Sequence, residues 1–176
     1  VRTGELDVGF GGYLQKDDME FFPLSAQELV IITPKQHPLA GIREVALAEL
    51  NHYPVIGYEK ESWMGTYAKH LYKKYQVSPN MIVECPDEYS IVSLVRENFG
   101  IALMPRTDIL EQAVGINIHS LKGLEIYRQV FMFWMKDRYR LPAVERFIEY
   151  MKTQQDEVAN DTENVSKIYL KDIVNF

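Results

Sequence analysis

Cysteine is nearly absent from this chain of 176 residues, which holds only Cys85. A lone thiol closes no internal disulfide, so the fold rests on its apolar core and suits a reducing compartment. Long apolar runs are missing as well. None approaches the ~20 residues needed to span a bilayer, and no signal-peptide pattern is visible. Basic charge is in short supply, with 19 Lys and Arg against 25 Asp and Glu, for a net charge of −6. A surface that grips nucleic acid neutralises phosphates with basic side chains. Direct nucleic-acid binding by these residues is therefore disfavoured, and the expected location is cytoplasmic. The four histidines, His37, His52, His70 and His119, include no pair at i, i+4. Cys85 has no cysteine partner, so neither a metal site nor a cofactor is expected.

What is present is core material. Hydrophobic residues make up 47% of the chain, including eleven Tyr, eight Phe and two Trp, enough for one or two folded domains. LDVGF reads as a buried strand that ends in glycines. MEFFPLSAQELVIITP reads as two extended pieces, the second Leu29–Thr33. Val45–Leu50 reads as a short helix and Tyr53–Tyr58 as a strand. Met64, Ala68, Leu71, Tyr72 and Tyr75 give the following segment one apolar helical face, and Ser62 is placed to cap its N-terminus.

Asn80–Cys85 is the next strand. Asp87 or Ser90 caps a helix that buries Ile91, Leu94 and Val95, and Gly100 is its expected C′ residue. Ile101–Met104 is a further strand, and Pro105 opens a helix that runs to about Ala113. Gln129–Met135 is strongly apolar. Pro142 fits a helix N1 position, with Ala143, Phe147, Ile148 and Met151 as that helix's buried side. The alternation of strand and helix from Tyr53 to Ala113 predicts an α/β fold with a parallel sheet. Thr153–Phe176 starts polar, ends in VSKIYLKDIVNF, which reads as a strand or a docking helix, and is expected to be an extension rather than a domain. VRTGEL reads as the end of a helix, which suggests sequence upstream.

Chemical motifs are weak. GELDVGFGG lacks the Lys and Ser/Thr of a P-loop and does not open a helix as a dinucleotide motif does. It is a turn or a loop through which backbone approaches a small ligand. Ser62 lacks the glycines of a nucleophile elbow. Cys85 stands beside Asp87 and Glu88, which disfavour a thiolate. Acids at strand ends are more simply explained as helix-start residues than as an acid–base pair. No catalytic residue is expected, and the chain is not expected to be an enzyme.

Position carries more than motif. Three strands end in loops that lead into helix N-termini, after Tyr58, Cys85 and Met104, and ligands bind at that edge of parallel sheets. Helix N-termini suit a carboxylate, which Lys60 and Arg106 would assist. Glu61, Asp87 and Glu88 would hold an amine.

Five segments occur in one order: GELDVGF, PLSAQELVIITPKQHPLAG, VALAELNHYPVI, LVRENFGIALMP and QVFMFWMKDRYRLPAVERFIEYM. Together, over about Gly4–Lys152, they resemble the effector-binding domain of LysR-type transcriptional regulators. The resemblance implies a type 2 periplasmic-binding-protein-like α/β fold, with two Rossmann-like subdomains joined by two crossover strands and an effector in the cleft between them. It implies that 1–33 is a remnant of an incomplete first subdomain with the first crossover strand. It makes 34–128 the second subdomain, 129–152 the return strand and a first-subdomain helix, and 153–176 an extension. Glu28–Thr33 and Gln129–Met135 would be the antiparallel crossover pair.

The effector site would draw on Gly11 and Gly12 from one subdomain. From the other it would take Lys60, Glu61, Ser62 and Trp63, then Asp87, Glu88 and Tyr89. The implied partner is a small effector, carboxylate or amino-acid-like. DNA would be reached only through a helix-turn-helix domain absent from this chain, in a full-length homo-oligomer, with no membrane. A solute-binding protein of the same fold serving transport is the alternative, and an enzyme on this fold is a third reading.

Overall fold

The computed structural model describes residues 1–13 and 16–158. The chain divides into two units, one made of residues 27–127 and the other of the flanking segments 1–26 and 128–176. Both connections between them run through strands.

The larger unit is built on β2 (Met19–Pro34), which is one continuous strand and not two pieces. Pro23 lies within it. Leu29, Val30, Ile31, Ile32 and Thr33 are all buried, whichever face they point to. That is the mark of a strand covered on both sides. Antiparallel neighbours flank it: β6 (Ala102–Pro105) pairs Leu29 with Pro105, and β7 (Ile116–Leu121) pairs Val30 with Ser120. A short β3 (Glu44–Val45) runs parallel to β7. β4 (Pro54–Tyr58) and β5 (Asn80–Cys85) pair in parallel, and a parallel bridge from Val55 to Ile101 carries this pair to the start of β6. Every strand here runs one way except β2, so the parallel expectation holds with one reversed strand.

Two helices cover this sheet. α1 (Trp63–Lys74) buries Met64, Ala68 and Leu71, and α2 (Glu88–Arg96) buries Ile91, Val92 and Val95. Both close with a left-handed residue and a Schellman pair of hydrogen bonds. At α1 the residue is Gln76 (φ 54°), with Val77 N–H donating to Tyr72 O. At α2 it is Asn98 (φ 63°), with Phe99 N–H donating to Leu94 O. The C′ residue is therefore Asn98 and not Gly100. Gly100 serves packing instead, since a Cβ there would lie 2.5 Å from Pro54 O.

Other expectations shift locally. Val45 belongs to β3, and the helical turn after it is a 3-10 segment, Leu47–Asn51. Pro105 ends β6, where ladder pairing outweighs its preference for helix starts. The helix beyond it, α3 (Asp108–Glu111), is a single turn. β7 was not read from the sequence.

In the smaller unit, β1 (Val8–Gly11) pairs antiparallel with β8 (Tyr127–Met135), which in turn neighbours β2. α4 (Pro142–Val158) starts at Pro142 and reaches into the segment expected to be an extension. Its buried side is Val144, Ile148 and Met151, packed around Met132 and Trp134. Ile148 and Met151 face inward as expected, whereas Ala143 and Phe147 are exposed and Val144 takes the inner position. VRTGEL forms turns, with Gly4 N–H donating to Val1 O, and not a helix end. VSKIYLKDIVNF lies outside the described residues.

Candidate functional site

The strand directions define one edge of the larger unit. β4, β5 and β6 are parallel and end there, at Tyr58, Cys85 and Pro105. Because Leu29 pairs with Pro105, β2 enters the unit at this same edge. β7 also ends there, so β8 leaves from it.

The loops after β4 and β5 meet because the strands pair in register, Tyr58 beside Cys85. Glu59 N–H donates to Cys85 O at 3.1 Å. Lys60 Nζ sits 3.0 Å from a Glu84 carboxylate oxygen, and Tyr58 Oη donates to Glu88 at 3.3 Å. Lys60 thus pairs with Glu84, and the same two strand ends and loops carry four further carboxylates, those of Glu59, Glu61, Asp87 and Glu88.

Ser62 is the N-cap of α1, as its sequence position required. Its Oγ accepts from Gly65 N–H at 3.0 Å and donates to Glu59 O at 2.7 Å. The hydroxyl proton is therefore committed to the loop, and toward a ligand Ser62 offers only a lone pair. Thr66 Oγ1 donates to Lys60 O, which closes the loop over the first turn. Trp63 lies flat on Tyr67, with ring centroids 5.2 Å apart and planes 13° from parallel. One indole face is thus already taken by the helix.

Asp87 caps α2. Its two oxygens accept from Ser90 N–H and Ser90 Oγ at 2.8 and 2.9 Å, and these bonds hold its carboxyl below the usual range. The Cys85 thiol is buried and pushed up, first by burial and then by the charges of Asp87 and Glu59. It is a core residue, as expected.

Of the seven candidates on this unit, Lys60, Ser62, Asp87 and Glu88 are engaged in holding the edge together. Trp63 is half-buried, while Glu61 and Tyr89 project into solvent. Tyr58, Glu84 and Tyr67 belong to the same neighbourhood and were missed. The alternation of the two strands could have suggested Tyr58 and Glu84.

Gly11 and Gly12 lie in the smaller unit, at and just past the end of β1. A Cβ on Gly11 would make only ordinary contact with Phe133, at 3.7 Å, whereas one on Gly9 would meet that ring at 2.5 Å. In the GFGG stretch it is Gly9 whose lack of a side chain is demanded by packing. Among the described residues no cluster of His, Cys, Asp or Glu could hold a metal ion. No helix among them is long and apolar enough to cross a membrane.

This geometry is that of a known family. The model of the LysR substrate binding domain matches residues 1–156, and the chain belongs to that family. The HTH-type transcriptional regulator CysL of Bacillus subtilis is 23% identical, over 80% of this chain and 53% of its own length. The malolactic fermentation system transcriptional activator of Lactococcus lactis is 27% identical, over 85% and 53%. The chain spans about half the length of the curated relatives it matches.

Among solved structures, the effector binding domain of QuiR in complex with shikimate superimposes with a TM-score of 0.79 at 24% identity. That match covers 85% of this chain and 72% of QuiR's. The regulatory domain of Synechocystis PCC6803 CcmR in complex with 2-PG gives 0.76 at 19%, covering 85% and 74%. The fold is that of LysR effector-binding domains, the type 2 periplasmic-binding-protein-like class expected from the sequence.

Proposed function

We propose that this chain binds a small organic effector at the edge where β4, β5 and β6 end. The observation that carries the proposal is the pairing of two capped helix N-termini, α1 and α2, at the edge through which both connecting strands pass. The N–H groups of Trp63 and Met64 have no acceptor within α1, so the turn favours an anionic oxygen. The excess of carboxylates over ammonium groups in these loops favours an amine. A ligand carrying both, such as an amino acid or amino-acid-like compound, suits the edge better than a simple dicarboxylate. Glu61 and Tyr89, without side-chain partners among the described residues, are its first contacts, and Trp63 its wall.

In the whole protein this binding would bias one conformation over another and so control DNA binding by a separate domain, in a cytoplasmic homo-oligomeric regulator. The regulators among its relatives support that reading over transport, as does the capture of shikimate by QuiR and 2-PG by CcmR.

The test is calorimetry on this chain with a panel of α-amino acids, hydroxycarboxylates including shikimate, and phosphorylated carboxylates. Trp63 fluorescence is followed in parallel in a Trp134→Phe background. Saturable binding of the amino-acid class, with a Trp63 response and at least tenfold weakening in Glu61→Gln, is the expected result. Binding that leaves Trp63 silent and ignores Glu61→Gln would move the site elsewhere.

A further inference from the structure

We propose that Tyr67 is a positioning residue that couples the first turn of α1 to β8, at the point where that strand leaves the larger unit. The inference rests on the reading above, that a ligand engages the start of α1. Trp63 stands at the first position of α1, beside the Ser62 cap. Its indole stacks on Tyr67 one turn later. The Tyr67 hydroxyl reaches out of the helix and donates to Tyr127 O at 3.1 Å. Tyr127 is the first residue of β8 and the last of the larger unit, since the division falls between residues 127 and 128. A displacement of Trp63 therefore has a path of two contacts to the root of a connecting strand. The stack is rigid, because two aromatic rings one turn apart on a helix have few rotamers to relax into.

The other connecting strand is held differently. At Glu28, β2 is fixed by Arg106, whose N–H donates to Glu28 O at 2.7 Å and whose guanidinium contacts the Glu28 carboxylate at 2.9 Å and Glu111 at 2.8 Å. Arg106 follows β6, and its guanidinium is held between Glu28 and Glu111. Both strands are thus anchored where they enter, but the anchor of β8 is the one tied to the start of α1. The two roots are also tied to each other, with Leu29 N–H donating to Ile126 O at 2.7 Å, so a change at Tyr127 is felt first in β8 and then in β2.

The experiment uses this chain without any ligand and reads backbone amide hydrogen exchange by NMR. Tyr67→Phe keeps the ring and its stack and deletes only the hydroxyl. It should speed exchange at Arg128–Val130 by about fivefold, the equilibrium factor of one ordinary hydrogen bond, and leave the β5 amides unchanged. Trp63→Phe, which keeps apolar bulk at α1, should speed the same β8 amides. In the double variant the two effects should not add, because they act through one path. Tyr67→Phe with unchanged β8 exchange would overturn the proposal, as would two effects that add in full. Acceleration spread evenly over β5 and β8 would show a loss of general stability and would overturn it as well. Because no ligand enters, a failure here is separate from failure of the binding reading, which the calorimetry decides alone.

Discussion

Gly65 sits directly against the carbonyl of Glu59, so close that a Cβ on residue 65 would overlap that oxygen and crowd Lys60 Cα as well. The contact arises because Ser62 pulls the loop back over the helix start, bonding both Glu59 O and Gly65 N–H. The glycine is what lets the loop after β4 fold onto α1, and so what places Lys60, Glu61 and Trp63 together.

Gly65→Ala should therefore destabilise the chain by about 1–3 kcal/mol, the range for overpacking against backbone that cannot give way. It should also loosen the site. Urea unfolding gives the first quantity, and amide exchange of Trp63–Thr66 the second. A variant as stable as the parent would mean that the loop has another low-energy path. Gly57→Ala is the internal comparison, since its obstruction is only the flexible end of Met81, and its cost should be smaller.

Ser62→Ala and Asp87→Ala each remove an N-cap, which costs about 1 kcal/mol. Ser62→Ala also removes the hydroxyl bond to Glu59 O, leaving only Ser62 N–H on that carbonyl, whereas both Asp87 bonds stay within the first turn of α2, so Ser62→Ala should be the more damaging of the two at the candidate site. Equal midpoints in thermal melts of the two variants would argue against that double role.

How far the sequence revealed these features depended on the range of the interactions. Ser62 and Asp87 were readable because a cap and its acceptor lie within one turn. The strands Asn80–Cys85 and Gln129–Met135 were readable because apolar runs are local. Gly100 was misread because its neighbour, Pro54, is distant in sequence, whereas Asn98 closes the helix by a left-handed turn that glycine usually supplies. On α4, Ile148 and Met151 were readable but Val144 was missed in favour of Ala143 and Phe147, because the inner face is decided by Met132 and Trp134 on another strand. β7 escaped notice because INIHSL mixes polar and apolar residues, and its buried His119 is held in bonds that only the fold supplies.

His119 of β7 meets Thr33 of β2. Both are buried, with Thr33 Oγ1 2.9 Å from His119 Nε2, Asn117 Nδ2 donating to Thr33 Oγ1 at 3.2 Å, and His119 Nδ1 2.6 Å from Ile42 O. A carbonyl only accepts, so Nδ1 carries the hydrogen. Thr33→Val keeps the shape and removes the shared oxygen, leaving His119 Nε2 buried without that partner while Asn117 Nδ2 keeps Pro34 O at 2.6 Å. It should cost about 1–3 kcal/mol, measurable in urea. A neutral result would show that His119 Nε2 finds another partner.

Cys85 should be inert in the folded chain. Its thiol is buried and its ionisation is pushed up by burial and by Asp87 and Glu59, and the reactive species is the thiolate. A disulfide reagent at pH 8 should label it slowly in buffer and rapidly in denaturant. Fast labelling in buffer would mean that the end of β5 opens readily.

His37 gives the pH dependence a sign. Burial, and then the neighbouring His119, lower its pKa below the ordinary 6.5. Leu39 N–H donates to its Nδ1 at 3.2 Å, and the ring packs edge-on against Tyr53. The folded state thus prefers the neutral ring, whereas the unfolded chain takes up a proton near 6.5. The unfolded state binds more protons as pH falls, so this contribution is fully present above about pH 6.5, the unfolded value. It declines as pH drops through that value and is lost below the lower folded pKa. The urea midpoint should fall between pH 7 and pH 5, and His37→Gln should flatten that part of the curve. A midpoint in the parent that rises on acidification through this window would contradict the assignment, because it would require the folded state to be the one that gains the proton.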